Sequence, residues 1–260
     1  MILSRKSATT RHAFNERIAS YEIGFLLLKE ILGEHGFAPG RLVMLRDLNP
    51  ENLGVSDREL LELLLELPVT ISRHAVEKRL SERHGEILRK LWQTHPEPEG
   101  GYPIRDVCLF GAAECLRASL AGKVLEKGPI EQFGRLMNVS HDGDRVTRLA
   151  DGARVEWRSR FDRNLLDKEP EAQLHLQPGG YRVSTPEIDE LVDLALGVEG
   201  VLGARLTGAG YGGCVAVLVH ERAVAGLLER LERSYYSPRG WERRAEVCRP
   251  VRGCSFFREP

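Results

Sequence analysis

Four glycines fall within six residues of the run Leu206-Thr207-Gly208-Ala209-Gly210-Tyr211-Gly212-Gly213-Cys214. Glycine tolerates positive φ and lets a backbone approach a ligand with no Cβ in the way. A loop this poor in side chains can turn consecutive amide N–H groups toward an anion, a phosphate group being the obvious guest. Apolar, β-branched runs flank it, 201–206 before and 214–219 after. The same letters therefore also read as a plain tight turn between two strands.

Several phosphate-binding patterns are excluded by context. Gly208-x-Gly210-x-x-Gly213 has the letters of a dinucleotide fingerprint, which needs a strand before it, a helix after it and an acidic residue further on. Here a strand-like run follows. No His-Arg-Asp or Asp-Phe-Gly accompanies the loop as in protein kinases, and no Gly-Lys-(Ser/Thr) or Ser-Ser pair occurs. Asp142-Gly143-Asp144 lacks the rest of a calcium loop. Five cysteines form no Cys-x-x-Cys; their odd number argues for reduced thiols and a cytoplasmic protein. Cys108 and Cys115 share one helical face, but no histidine pair at ligand spacing lies near them, so no metal site is assigned.

Three further segments carry a resemblance. Tyr181-Arg182-Val183-Ser184-Thr185-Pro186-Glu187-Ile188-Asp189 precedes Gly200-Val201-Leu202-Gly203-Ala204-Arg205 and the glycine loop, and Phe133-Gly134-Arg135-Leu136-Met137-Asn138-Val139-Ser140-His141 lies upstream. In this order they resemble the C-terminal region of galactokinases and their galacturonokinase and arabinokinase relatives, in the GHMP small-molecule kinase superfamily. Residues 2–17 resemble a segment from the middle of a galactokinase, where a Ser-x-x-x-x-His strand leads to Tyr-Asn-x-Arg and a helix.

The resemblance implies ATP- and Mg²⁺-dependent phosphorylation of a monosaccharide. Thr207, Gly208, Ala209, Gly210, Tyr211, Gly212 and Gly213 then form the ATP and active-site glycine loop, which shapes the site without performing the chemistry. Phe14 occupies the place of a sugar-contacting tyrosine; the lost hydroxyl removes a specificity-setting hydrogen bond and puts galactose itself in doubt. Arg11, His12 and Arg17 could meet a carboxylate, keeping uronic acids open, or form a solvated basic turn. Arg105 resembles a helix-opening arginine and is given no chemistry. The family's full Gly-Glu-His-(Thr/Asn)-Asp sugar motif, its phosphate loop and its catalytic aspartate have no counterpart in the sequence, so no catalytic residue or metal ligand is assigned. The expectation is a chain lacking the N-terminal kinase domain, inactive alone, and working with an N-terminal half-kinase or self-associating. The alternatives are a non-catalytic sugar- or nucleotide-responsive module, or a truncated, degenerate gene product.

The elements that would position these residues follow from pattern and composition. With 260 residues and 42% hydrophobic content the chain can bury a sizeable core. A net charge of −1 gives no field favouring nucleic acid or an anionic membrane. No apolar run approaches a bilayer span, and no signal peptide is visible. Helical spacing or caps predict helices over 15–32, 57–67, 107–126, 129–139 with Pro129 at N1, 186–196 and 222–235. Residues 94–101 read as a loop. Strands flank the glycine turn, and a closing strand is expected over 247–257. Residues 146–180, rich in charge, read either as a specificity or partner-binding insertion or, preferably, as a solvated surface excursion. The fold class is α+β: 1–24 as a remnant strand and helix start from the N-terminal kinase domain, 25–145 helix-rich, 146–180 the charged insertion, and 181–260 a ferredoxin-like GHMP kinase C-terminal layer.

Overall fold

The computed structural model describes residues 8–249. Its first element, α1 (Ala8–Glu34), is one continuous helix. It begins ahead of the expected 15–32 and absorbs the turn expected around Arg11, His12 and Phe14; the strand expected at residues 2–5 lies outside the described residues. Ala19, Ile23, Leu27 and Ile31 recur on one face and are buried, the spacing of a core-facing stripe. A Cβ at Gly24 would overlap the Cys108 sulfur, so α1 crosses the later helix carrying that cysteine at close range.

A single turn, α2 (Pro50–Leu53), leads to α3 (Asp57–Leu65). Here Ser56 Oγ accepts the Glu59 N–H at 3.2 Å, and the Glu59 carboxylate accepts the Ser56 N–H at 2.7 Å, a capping box that sets the first turn. β1 (Thr70–Ile71) pairs antiparallel with β2 (Tyr102–Pro103). Between them runs α4 (Arg73–Trp92), bent at His84 where the backbone leaves helical geometry. The loop expected over 94–101 follows it. α5 (Arg105–Lys127) matches the expected 107–126 closely. α6 (Ile130–Asp144) starts one residue after Pro129, which is its N-cap rather than N1, and runs on past 139 to take in Ser140, His141 and Asp144.

The charged stretch divides in two. β3 (Thr147–Ala150) and β4 (Ala153–Glu156) form a hairpin turned at Asp151-Gly152, both at positive φ, the geometry of a two-residue hairpin turn. Beyond it the solvated excursion does not hold. Phe161, Leu166, Ala172 and Leu174 are buried in the same core as α1, α3 and α5. The Arg58 guanidinium donates to the Leu166 carbonyl at 2.7 Å, and the Leu174 N–H donates to Asp57 Oδ1 at 2.6 Å. Between these anchors lies α7 (Arg163–Lys168), capped by Asp162. The charges that suggested a solvated face pair outward, Arg160 with Asp162 and Arg163 with Glu62.

The last layer has the order helix, strand, strand, helix. α8 (Pro186–Leu196) starts at Thr185, whose hydroxyl accepts the Ile188 N–H. β5 (Val201–Thr207) and β6 (Cys214–Val219) pair antiparallel around the glycine turn. α9 (Val224–Leu231) runs into a wider turn over Glu232–Tyr236, together close to the expected 222–235. Val192, Ala195, Ala204, Leu227, Leu231 and Tyr235 make a second core here. Among the described residues this sheet has two strands, fewer than the β-α-β-β-α-β order of a ferredoxin-like layer. Of the expected closing strand, 247–249 lack regular structure and 250–257 lie outside the described residues. No described helix is long and apolar enough to cross a membrane.

Candidate functional site

The glycine loop joins β5 to β6 directly after the Thr207–Cys214 pair. Gly208, Gly210, Gly212 and Gly213 all hold positive φ, between +83° and +110°, and Tyr211 shares that region at +57°. A tyrosine held there is strained, and such residues persist only where the surroundings over-determine them. The surroundings here are the 181–184 segment. The Tyr211 N–H donates to the Val183 carbonyl at 2.6 Å, and a Cβ at Gly210 would lie 2.5 Å from that of Val183. A Cβ at Gly208, by contrast, would meet nothing within 4 Å beyond its chain neighbours. The loop is thus pinned along its back and open along its front, as a backbone wall beside a ligand must be.

Its root is held by α6. A Cβ at Gly134 would overlap the Leu202 carbonyl, and one at Gly203 would lie 2.5 Å from the Gly134 oxygen, so helix and strand touch backbone to backbone. At that distance Asn138 Oδ1 accepts the Ala204 N–H at 2.9 Å, and His141 Nδ1 accepts the Leu206 N–H at 3.3 Å. Beside them, Arg205 pairs with Glu114 at 2.9 Å, Glu114 with Arg117 at 2.7 Å, and Ser140 Oγ donates to Glu114 at 2.8 Å. Burial pushes Glu114 up, but the Arg117 and Arg205 guanidiniums outweigh it and hold the carboxyl below its ordinary range. Asp144 is less well served. Arg205 stands 4.0 Å away, Oδ1 has no partner, and burial pushes the carboxyl up to about 7.

On the far side of His141, Nε2 lies 3.3 Å from Asp189 Oδ1, within charge attraction but off line for a hydrogen bond; neither atom has another partner. Asp189 Oδ2 accepts the Val146 and Thr147 N–H groups at 3.0 and 2.7 Å. Burial raises the Asp189 carboxyl, and the imidazole, Ser184 and these amides more than offset it, so it sits below its usual range.

α1 reaches the front of the site. Arg17 Nε donates to the Tyr181 carbonyl at 2.6 Å, across 164 residues of sequence. Tyr21 packs on Tyr181 at 5.2 Å between ring centroids, and Phe110 stacks on the same ring at 5.1 Å. Phe14, Arg17 and Tyr21 recur at helical spacing along one stripe. Phe14 is 36% exposed. Burial raises the Tyr211 phenol to about 12, against the lowering pull of the Arg17 charge. Arg11 and His12 are exposed on the helix, and Arg105 donates to the Leu65 and Leu67 carbonyls at the end of α3, a structural task.

The residues missed by sequence reasoning are Glu114, Arg117, Asn138, Asp144 and Arg205. A signal existed: Asn138 and His141 are polar groups one turn apart on α6, close to Gly134. Asp142, Gly143 and Asp144 belong to the last turn of α6. Cys108 is buried with its thiol pushed up to about 12, and Cys115 is exposed. Two surface hollows of about 590 and 600 Å³ lie away from the loop, one along α9 and one beside 160–178. The open, side-chain-free front at Gly208 fits the phosphate chain of a nucleotide. Among the described residues no group of three or more His, Cys, Asp or Glu could hold a metal ion, so Mg²⁺ ligation is assigned to none of them.

Residues 158–237 match the family model described as GHMP kinases C terminal. The chain is similar to the galactokinase of Bos taurus, 28% identical over 218 residues, covering 79% of this chain and 47% of that protein. It is 27% identical over 217 residues to that of Homo sapiens, covering 79% and 46%. With the galactokinase of Roseiflexus sp. (strain RS-1) identity is 33% over 159 residues, covering 61% and 32%. The chain thus spans about half the length of the curated relatives it matches, or less.

Proposed function

The chain belongs to the galactokinase-like GHMP kinases, and from that premise we propose that it supplies the C-terminal portion of an ATP-dependent sugar kinase. The observation that carries this reading is the convergence of α1 with the 181–184 segment that backs the glycine loop, through the Arg17 hydrogen bond, the Tyr21 ring contact and the Tyr211–Val183 bond. Two segments that the family resemblance assigns to one site come together although they are far apart in sequence.

Phosphoryl transfer is mostly positioning and electrostatic stabilisation. Bound ATP·Mg²⁺ would bring the transferable group and part of the charge neutralisation. The chain's own residues shape the site around it: Thr207, Gly208, Ala209, Gly210, Tyr211, Gly212 and Gly213 line the phosphate side, and Phe14 lines the sugar side. With Phe14 in place of a phenol, one hydroxyl contact to the sugar is absent. Arg17, on the same stripe of α1 as Phe14, offers a cation to a carboxylate, so uronates stand with galactose and pentoses in the substrate class. The groups that grip the phosphates and take the proton from the sugar hydroxyl are placed on an N-terminal half that completes the site.

A coupled ADP-release assay with Mg-ATP and galactose, galacturonate, glucuronate or arabinose tests this. The expected result is no turnover by the 260-residue chain alone and turnover when a galactokinase N-terminal portion is fused or added. Turnover by the chain alone would place catalytic groups within it. Silence in both arms, together with saturable binding of sugar or ATP, would replace this reading with a non-catalytic, sugar- or nucleotide-responsive module.

A further inference from the structure

Among the described residues β5 pairs with β6 alone, so its other edge presents the Ala204 and Leu206 amides to whatever packs there. An unpaired strand edge of this kind is ordinarily covered or satisfied. α6 satisfies it with side chains: Asn138 takes the first amide and His141 the second. The second lies one residue before Thr207, where the glycine loop begins. We propose that His141 is a positioning residue for the glycine loop, fixing its root through Nδ1 and held in one tautomer by its setting against Asp189.

The chemistry follows from the hydrogen-bond roles. The Leu206 N–H can only donate, so Nδ1 must present a lone pair and the ring proton must sit on Nε2. Nε2 faces Asp189 Oδ1, an acceptor, at 3.3 Å, and Asp189 is itself fixed by the Val146 and Thr147 amides. His141 and Asp189 are both fully buried, so water cannot replace either contact. A proton on Nδ1 would set two donors against each other and release Leu206. The loop has no ladder partner between Thr207 and Cys214; its geometry depends on the Tyr211–Val183 bond at its back and on this bond at its root.

This inference rests on the proposed kinase site for its functional meaning, but not for its test. Three full-length variants are compared with the parent by amide hydrogen exchange: His141→Asn, which keeps an acceptor near the δ position; His141→Gln, which moves it outward; and His141→Phe, which keeps shape alone. The Gln and Phe variants are expected to raise exchange at Leu206 and over 208–213 by roughly tenfold, with α3 and α4 amides unchanged. The Asn variant should restore most of the protection. If Phe does not fold, the Asn–Gln contrast carries the same reading. Equal exchange in Asn and Gln, or an increase spread evenly over the molecule, would overturn the proposal. In the complemented kinase the Gln variant should raise KM for ATP more than KM for the sugar. An inactive complemented enzyme counts against the kinase reading, whereas the exchange pattern alone decides the role of His141.

Discussion

Asp144 carries the clearest energetic consequence of a single residue. Its folded carboxyl is raised to about 7 from an ordinary 3.8, so the native state binds that proton more tightly than the unfolded chain. Stability from this group is therefore full below about pH 4 and is lost as pH rises toward 7. Asp144→Asn removes the titration. Relative to the parent, it should gain about 1–3 kcal/mol between pH 4.5 and 8, read as a Tm difference that grows with pH; a constant difference would count against this account. Glu114 and Asp189, both lowered, act oppositely and withdraw stability as pH falls through their folded values. The glycines separate in a similar way. Gly210→Ala must overcome both positive φ and the Val183 side chain, whereas Gly208→Ala meets only the backbone cost. The first should lose at least about 2 kcal/mol more than the second in denaturant unfolding.

At the scale of elements, α6 works as the missing neighbour of β5. This depends on backbone contact at Gly134 and Gly203, which brings Asn138 and His141 within reach of the strand amides. Gly134→Ala should push the helix away and weaken both hydrogen bonds at once, costing about 2–4 kcal/mol. The loss would appear together with faster exchange of the Ala204 and Leu206 amides; a stability loss without that exchange would show that the contact is only packing. By comparison, Ser56→Ala should cost about 1 kcal/mol at the start of α3 and leave β5 untouched. The capping box at Ser56 and Glu59 and the Thr185-Pro186 start of α8 are legible from spacing alone because their partners lie three residues away. The hairpin at Asp151-Gly152, concealed by the charge of 146–180, was in principle readable by the same logic. The packing of 161–174 into the helical core was not, since its outward charge pairs mask a few inward apolar side chains.

For the whole molecule, the two strands of the last layer leave β6 with β5 as its single strand partner among the described residues, and none of its residues is fully buried. Free strand edges and half-covered apolar faces promote association. The 260-residue chain should therefore self-associate at micromolar concentration in sedimentation velocity, and a galactokinase N-terminal portion should shift it toward a defined complex. A monodisperse monomer that melts cooperatively would remove the self-association expectation. The sequence by itself determined the glycine loop between two strands, the caps of α3 and α8, the spans of α3, α5 and α8, and the motif order that marks the galactokinase-like GHMP kinases. These rest on interactions within a few residues or on short motifs that follow one another in order along the chain. Only the tertiary structure decided that Arg17 meets Tyr181, that Gly134 abuts Gly203, and that His141 rather than a strand holds Leu206. Such partners lie 65 to 164 residues apart, and a buried polar group takes whichever partner the packing of helices and strands brings within hydrogen-bond reach.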